Sequence, residues 1–325
     1  MTNLRWGVLG TARINRRLIP AIRRARRSEL AAVASRDQAR AEAFARDWSV
    51  PRAIAGYEQL LADPDIDAVY IPLPNTDHVR WTLRAIAAGK HVLCEKPIAL
   101  DPAEVERIAH AAAEAGVIVE EGFMYRHEPQ TARVVELIQG GAIGAVRAIV
   151  SGFTFTLAAG PNIRFNPALG GGALWDVGCY PVSYALLLAA HDPKLVFGTA
   201  HWHTSGVDEE FMGMLRFHGV STASIYAGFR AEYRTWLEVL GTDGVLTVPN
   251  PFKPGPLEVI ELERGSTVER IEVPGSDEIF VREVEDFEAA VFDGTPPVVS
   301  LAESRRTCAA LTALYAAARE VRPGT

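Results

Sequence analysis

Residues 92 to 101 read VLCEKPIALD, which sets a lysine between an apolar run and a proline. Val92, Leu93 and Cys94 have the character of a buried strand end. Pro97 bars its predecessor from the helical region, so Lys96 is held extended. Open α/β sheets bind ligands at strand ends of this kind. An exposed lysine at a strand–loop junction is the alternative. A second group lies in GGGALWDVGCYPVSYALLL, residues 170 to 188, where three glycines precede a helical stretch. Asp176 and Tyr180 are four residues apart there, hence on one helical face, where a carboxylate and a phenol could hold and move a proton. Otherwise Asp176 is a first-turn charge that suits the helix dipole and Tyr180 a packed aromatic. EEGFMYRHEPQ, residues 120 to 130, adds Tyr125, Arg126 and His127 just beyond another strand end, with a charged loop face as the alternative.

The stretch GVLGTARIN, residues 7 to 15, joins the first apolar run to the first amphipathic one, where a dinucleotide fingerprint belongs. Counted from Gly10, that pattern expects glycines at 12 and 15, and this chain has Ala12 and Asn15. Ala12 is small enough for a pyrophosphate to approach the backbone at a helix N-terminus; an ordinary tight turn is the other reading. At the end of the second strand, NAD calls for a carboxylate and NADP favours an arginine. Ser35 and Arg36 stand there, Arg40 follows one helical turn on, and Arg13 can reach the same phosphate from the first loop. Asp37 is the counter-signal, but ahead of QARAEAFA it suits an N-cap. NADP is favoured, with NAD as the weaker alternative.

The elements that must position these residues alternate over the first 122 positions. Strands are expected at 4–10, 29–35, 67–74, 91–95 and 117–123, and helices at 14–26, 37–48, 77–88 and from Asp101, which can cap ahead of Pro102. Such alternation implies a parallel, doubly wound sheet. After a helix at 128–139 the pattern becomes β-rich, with strands at 145–157, 197–204, 210–217, 221–229, 236–241 and 257–263. A helix at 173–189 interrupts them, and helices at 279–292 and 301–320 end the chain. The fold class expected is α/β: a Rossmann domain over 1–122, then an α+β domain over 123–325 built on a large open, mainly antiparallel sheet. The terminal helices are available to pack back on the first domain.

A chain of 325 residues exceeds a typical single core, which fits two domains. The net charge of −7 argues against a nucleic-acid binder, and the basic stretch RRLIPAIRRARR, residues 16 to 27, reads as a solvated helix face. Three scattered cysteines lack metal-ligand spacing, so no metal is expected, and they suit a reducing cytoplasm. Residues 1 to 30 hold no apolar run like a secretory signal, and no segment reaches membrane-spanning length.

In order along the chain, GTARI, ASRD, IPLPNTDH, EKP, EGFMYR, GGGALWDVGCY and WLEVLGTDGVLTVPNPF resemble the glucose–fructose oxidoreductase/inositol dehydrogenase/rhizopine catabolism (Gfo/Idh/MocA) family. The resemblance implies that Gly10, Thr11, Ala12, Arg13 and Ile14 line the cofactor, together with Pro72, Leu73, Asn75, His78, Glu95, Lys96, Pro97 and Arg126. It also implies that Lys96 lies beside the nicotinamide and that the glycine-led helix supplies the proton-transfer residue. Tyr180 occupies the position where inositol-dehydrogenase-like members carry histidine, which resembles the branch of glucose–fructose oxidoreductase, D-xylose dehydrogenase and dimeric dihydrodiol dehydrogenase.

A free tyrosine ionises near pH 10, and a nearby ammonium lowers that value. On this reading Tyr180 exchanges the hydroxyl proton, Lys96 stabilises the developing charge, and Asp176 keeps the site in register. Asn162 and Arg164, in the loop before the glycines, are candidates for binding substrate hydroxyls. The expectation is a cytoplasmic NADP-dependent oxidoreductase acting on a sugar or polyol-like small molecule, first as an aldose 1-dehydrogenase. Keto-sugar reduction and trans-dihydrodiol oxidation are alternatives, and a non-catalytic NADP-binding regulator is the rival from another class. No nucleic-acid or membrane partner is expected, and the family implies a homodimer or dimer of dimers formed sheet to sheet.

Overall fold

The structure is a computed structural model that describes residues 3–158, 160–218, 221–275 and 278–320. It divides into two compact units, one running up to His127 and including Phe280–Arg305, the other holding Glu128–Ile279 and the chain from Arg306.

The first unit alternates strand and helix: β1 (Leu4–Leu9), α1 (Asn15–Arg24), β2 (Ser28–Ser35), α2 (Gln38–Asp47), β3 (Arg52–Ala55), α3 (Tyr57–Leu61), β4 (Ala68–Ile71), α4 (Asn75–Ala87), β5 (His91–Glu95), α5 (Pro102–Ala115) and β6 (Val119–Gly122). Every strand pair is parallel, in the order β3-β2-β1-β4-β5-β6. The chain winds outward from β1 through β2 and β3, then returns to place β4 on the other side of β1. That reversal creates the crevice where such sheets bind nucleotides. β4 is buried at all four positions, as a strand covered on both faces must be. Asp101 caps α5 by accepting from the Ala103 amide at 2.9 Å, ahead of Pro102.

The second unit contains α6 (Pro129–Gln139), β7 (Val146–Thr154), α7 (Cys179–Ala189), β8 (Leu195–Trp202), β9 (Asp208–Arg216), β10 (Thr222–Gly228), β11 (Arg234–Gly241), β12 (Val245–Val248), β13 (Leu257–Arg264) and β14 (Thr267–Pro274). These strands form one sheet, β14-β13-β12-β11-β7-β10-β9-β8, in which only β7 and β10 run parallel. α7 covers one face. On the other, Phe197, Met212 and Met214 are 63%, 59% and 41% exposed, beside a recess of about 570 Å³ that Tyr226 and Trp236 also line. Gly152 is required on that face, because a Cβ there would stand 2.3 Å from the Trp236 ring.

Two helices follow: α8 (Ile279–Asp293) and α9 (Leu301–Glu320). From Phe280 onward α8 belongs to the first unit, where Phe287 packs on Trp6 at 5.1 Å and Glu288 accepts from the Ser28 hydroxyl at 2.5 Å. No helix among the described residues is long and apolar enough to cross a membrane.

Candidate functional site

The predicted nucleotide residues collect in loops at the C-terminal ends of β1, β2, β4 and β5. Gly10 adopts φ +109°, and a Cβ there would stand 3.0 Å from Leu73, so the first loop passes close to the β4 loop only because residue 10 has no side chain. α1 starts with no side-chain cap and no acidic residue in its first turn, and its Asn15, Arg16 and Arg17 amides donate to the carbonyls of Ala12, Arg13 and Ile14 at 3.2, 3.4 and 2.8 Å. Asn15, the apparent defect of the fingerprint, is fully buried and donates from Nδ2 to the Gly10 carbonyl at 2.8 Å. It fastens the turn that a missing glycine would be expected to spoil. The register of the motif is the one sequence signal for it.

At the end of β2, Ser35 is buried and Arg36 is exposed. Arg40 donates from Nε to the Thr11 hydroxyl at 2.7 Å, which joins the two loops. Asp37 caps α2, accepting from the Arg40 amide at 2.7 Å. The counter-signal is thereby accounted for, and the exposed cations Arg13, Arg36 and Arg40 suit a 2′-phosphate. Ala12 and Ile14 are half-buried in the first loop, and Asn75 opens α4 after Pro74.

His78 differs from the expectation of direct cofactor contact. Its ring is fully buried, with Nδ1 2.7 Å from the Pro97 carbonyl oxygen and Nε2 2.7 Å from that of Leu73. It ties two loops together rather than facing a ligand. Arg126 is similarly engaged: its guanidinium pairs with Glu303 at 2.9 Å, and its side chain is 8% exposed. His127 is buried, with Nδ1 2.8 Å from Asp286.

Around Lys96, which is half-buried and followed by buried Pro97 in a cis peptide, carboxyl groups crowd the sheet edge. Glu95 accepts from the Tyr70 hydroxyl at 2.6 Å. Burial raises Glu121 to about 7, opposed by Ser304, the Ile98 amide and the charge of Lys96. Burial also pushes Glu283 well above the carboxylate range, reinforced by Glu95, Glu120 and Asp286.

In the second unit the glycine run builds its own loop. The Gly171 and Gly172 amides donate to the carbonyls of Asn166 and Arg164 at 3.0 and 2.9 Å, and a Cβ on Gly171 would stand 2.4 Å from the Arg164 oxygen. Gly172 adopts φ +121°, and a Cβ there would stand 2.1 Å from Asp208. Fully buried Asp208 accepts from the Leu174 amide at 2.6 Å and is raised by burial to about 6. It anchors the helix start, yet VDEEF offers no sign of which acid does so.

The helix itself begins as a π-turn over Leu174–Gly178 and becomes α-helical at Cys179, a departure from the continuous helix expected over 173–189. The wide turn carries Asp176, whose Oδ2 receives Arg164 Nε at 2.5 Å. Asn162 caps its own turn, accepting from the Arg164 amide at 3.0 Å. The Tyr180 ring packs against Phe153 and Phe252, 5.5 Å from each centroid, while those two rings stack on each other at 5.9 Å, and it is 6% exposed. A ring so packed fixes where its hydroxyl stands. Asp176, Arg164, Asn162 and Tyr180 thus share one segment of the second unit, as the Gly10, Ser35, Pro72 and Lys96 loops share one edge of the first. Among the described residues no group of three or more His, Cys, Asp or Glu side chains could hold a metal ion.

Residues 4–123 match the GFO/IDH/MocA family described as an oxidoreductase family with an NAD-binding Rossmann fold, and residues 131–247 match the GFO/IDH/MocA C-terminal domain. The D-xylose 1-dehydrogenase (NADP(+)) 2 of Haloferax volcanii is 39% identical, covering 96% of this chain and 97% of its own. Trans-1,2-dihydrobenzene-1,2-diol dehydrogenase of Danio rerio is 33% identical, covering 76% of this chain and 74% of its own. Among solved structures, KijD10, a 3-ketoreductase from Actinomadura kijaniata in complex with NADP and TDP-benzene, has a TM-score of 0.91 and 33% identity, covering 97% of this chain and 98% of its own.

Proposed function

The chain belongs to the GFO/IDH/MocA oxidoreductase family, and from that premise we propose that it transfers a hydride between NADP(H) and a carbinol or carbonyl carbon of a sugar. Its first reaction on this reading is oxidation of an aldose, D-xylose or D-glucose, at the anomeric carbon. The carrying observation is nearly full-length similarity to an NADP-dependent D-xylose 1-dehydrogenase. The arginines at the end of β2, with Asp37 used as a cap, agree with that cofactor.

NADP⁺ supplies the hydride acceptor. The oxidised alcohol must also lose its hydroxyl proton, which Tyr180 takes up. The Lys96 ammonium favours the anionic side of that exchange. Arg164 holds Asp176 in place, and with Asn162 it is assigned to the substrate hydroxyls. Gly10, Thr11, Ala12 and Ile14 hold the pyrophosphate, Arg13, Ser35, Arg36 and Arg40 the 2′-phosphate, and Pro72, Leu73, Asn75, Glu95 and Pro97 the nicotinamide side. The enzyme is assigned to the cytoplasm as a homodimer or dimer of dimers.

The likeness to KijD10 favours a second reading, NADPH-dependent reduction of a keto-sugar. Assaying the purified protein with NADP⁺ against aldoses, inositols and trans-dihydrodiols, and with NADPH against keto-sugars, tests both. NADP⁺ reduction with D-xylose or D-glucose is expected. Tight NADPH binding without turnover on any of these substrates would point instead to a regulator.

A further inference from the structure

Both polar sides of the peptide just past Lys96 are gripped by buried side chains. The carbonyl oxygen of Pro97 lies 2.7 Å from Nδ1 of His78, and the Ile98 amide donates to Oε1 of Glu121 at 2.9 Å. His78 is fully buried and Glu121 is 2% exposed. Through Nε2, 2.7 Å from the Leu73 carbonyl oxygen, the same imidazole reaches the loop after β4. We propose that His78 and Glu121 are positioning residues that clamp the Pro97–Ile98 peptide from opposite sides and so set where Lys96 stands. This inference rests on the reading of Lys96 given above.

The clamp is sensitive to protons from both sides. Carbonyl oxygens only accept, and a neutral imidazole has one N–H, so His78 holds Pro97 and Leu73 together fully only when a second proton reaches it. Burial opposes that proton most and, with Lys96, holds His78 below the ordinary histidine value, although the two carbonyls and Asp77 favour the proton. Glu121 grips the Ile98 amide harder as its own proton leaves, because an ionised acceptor makes the stronger bond. Facing it are Cys94 and Glu95 on β5, Lys96 and the Ile98 amide in the loop, and Ser304 on α9. From α8, Glu283 stands close to neighbouring Gly122.

The test uses the full chain labelled with ¹⁵N-isoleucine, with the Ile98 signal identified by its loss in Ile98→Val. Expected is an Ile98 amide proton that moves downfield as pH rises through about 7 in the wild type and stays still in Glu121→Gln. His78→Gln, whose amide overlays Nε2 and abandons Pro97, should shift the same signal; if that variant does not fold, Glu121→Gln decides. With NADP⁺ and D-xylose, both variants should lose tenfold or more in kcat while the Kd for NADP⁺ changes less than threefold. An Ile98 signal that is pH-independent and also unmoved by Glu121→Gln and His78→Gln overturns the clamp without reference to any substrate. So does unchanged kcat in both variants alongside an inactive Lys96→Ala. An active Lys96→Ala with the Ile98 titration intact removes instead the reading on which the clamp's purpose rests.

Discussion

A phosphate that loses water on binding must find charge-assisted partners, and Arg36 is the exposed cation at the end of β2 best placed by sequence to be one. Replacing Arg36 with alanine should weaken NADP⁺ binding by about 2 kcal/mol, the scale of one charged hydrogen bond, and leave NAD⁺ nearly unchanged. Titration calorimetry with both cofactors measures this, and equal losses would assign Arg36 to the fold. Lys96, Tyr180 and the β2 arginines, the residues proposed for the chemistry, stand in recognisable local contexts of the amino-acid sequence. Their supports do not. Glu121 and Asp208 act through contacts that no local pattern carries: an amide in a neighbouring loop and an amide 34 positions away.

Among the elements, the first-unit strands and helices are legible in their period, and their ends differ by a few residues at most. β3 and α3 are not anticipated, since a four-residue strand with no buried position and a five-residue helix give no period to detect. β14 escapes for another reason: most of its side chains are exposed, so the apolar alternation that marks a strand is absent. The π-turn at Leu174–Gly178 depends on Asp208 and the glycine run, which makes Gly172 the position to disturb. Gly172→Ala adds a strained backbone angle and displaces a buried carboxylate, and should destabilise by about 2–4 kcal/mol. Gly89→Ala is the control: φ is +72° there, but open space surrounds the Cβ, and the cost should be about 1 kcal/mol. Urea unfolding of the two variants checks the order, and equal costs would remove Asp208 from the account.

For the molecule as a whole, the second sheet presents Phe197, Met212 and Met214 to solvent on one face, a larger apolar surface than isolated side chains make. A self-complementary pairing of that face in an even-numbered assembly is expected, seen as a dimer or tetramer by light scattering at micromolar concentration. Met212→Lys should drive it toward monomer, and a monomeric wild type would contradict the pairing. Stability should also carry a pH signature. Glu121 and Asp208 are raised in the folded chain from 4.5 to about 7 and from 3.8 to about 6, so the folded state keeps protons that the unfolded state has released. Their contribution is whole below the unfolded values and is lost as pH rises through the folded ones. For Glu121 the loss is about 3 kcal/mol at 1.36 kcal/mol per pH unit, and Glu121→Gln should remove that slope between pH 4.5 and 7.5. On the proposed function, Lys96 and Tyr180 serve a single proton transfer. A double-mutant cycle in kcat with NADP⁺ and the preferred aldose tests it most directly. Tyr180→Phe and Lys96→Ala should each lower turnover by about 10²–10⁴-fold with NADP⁺ still bound, and the double variant should be little worse than the worse single one. A Tyr180→Phe enzyme with near-normal turnover, or losses that simply multiply, would contradict it.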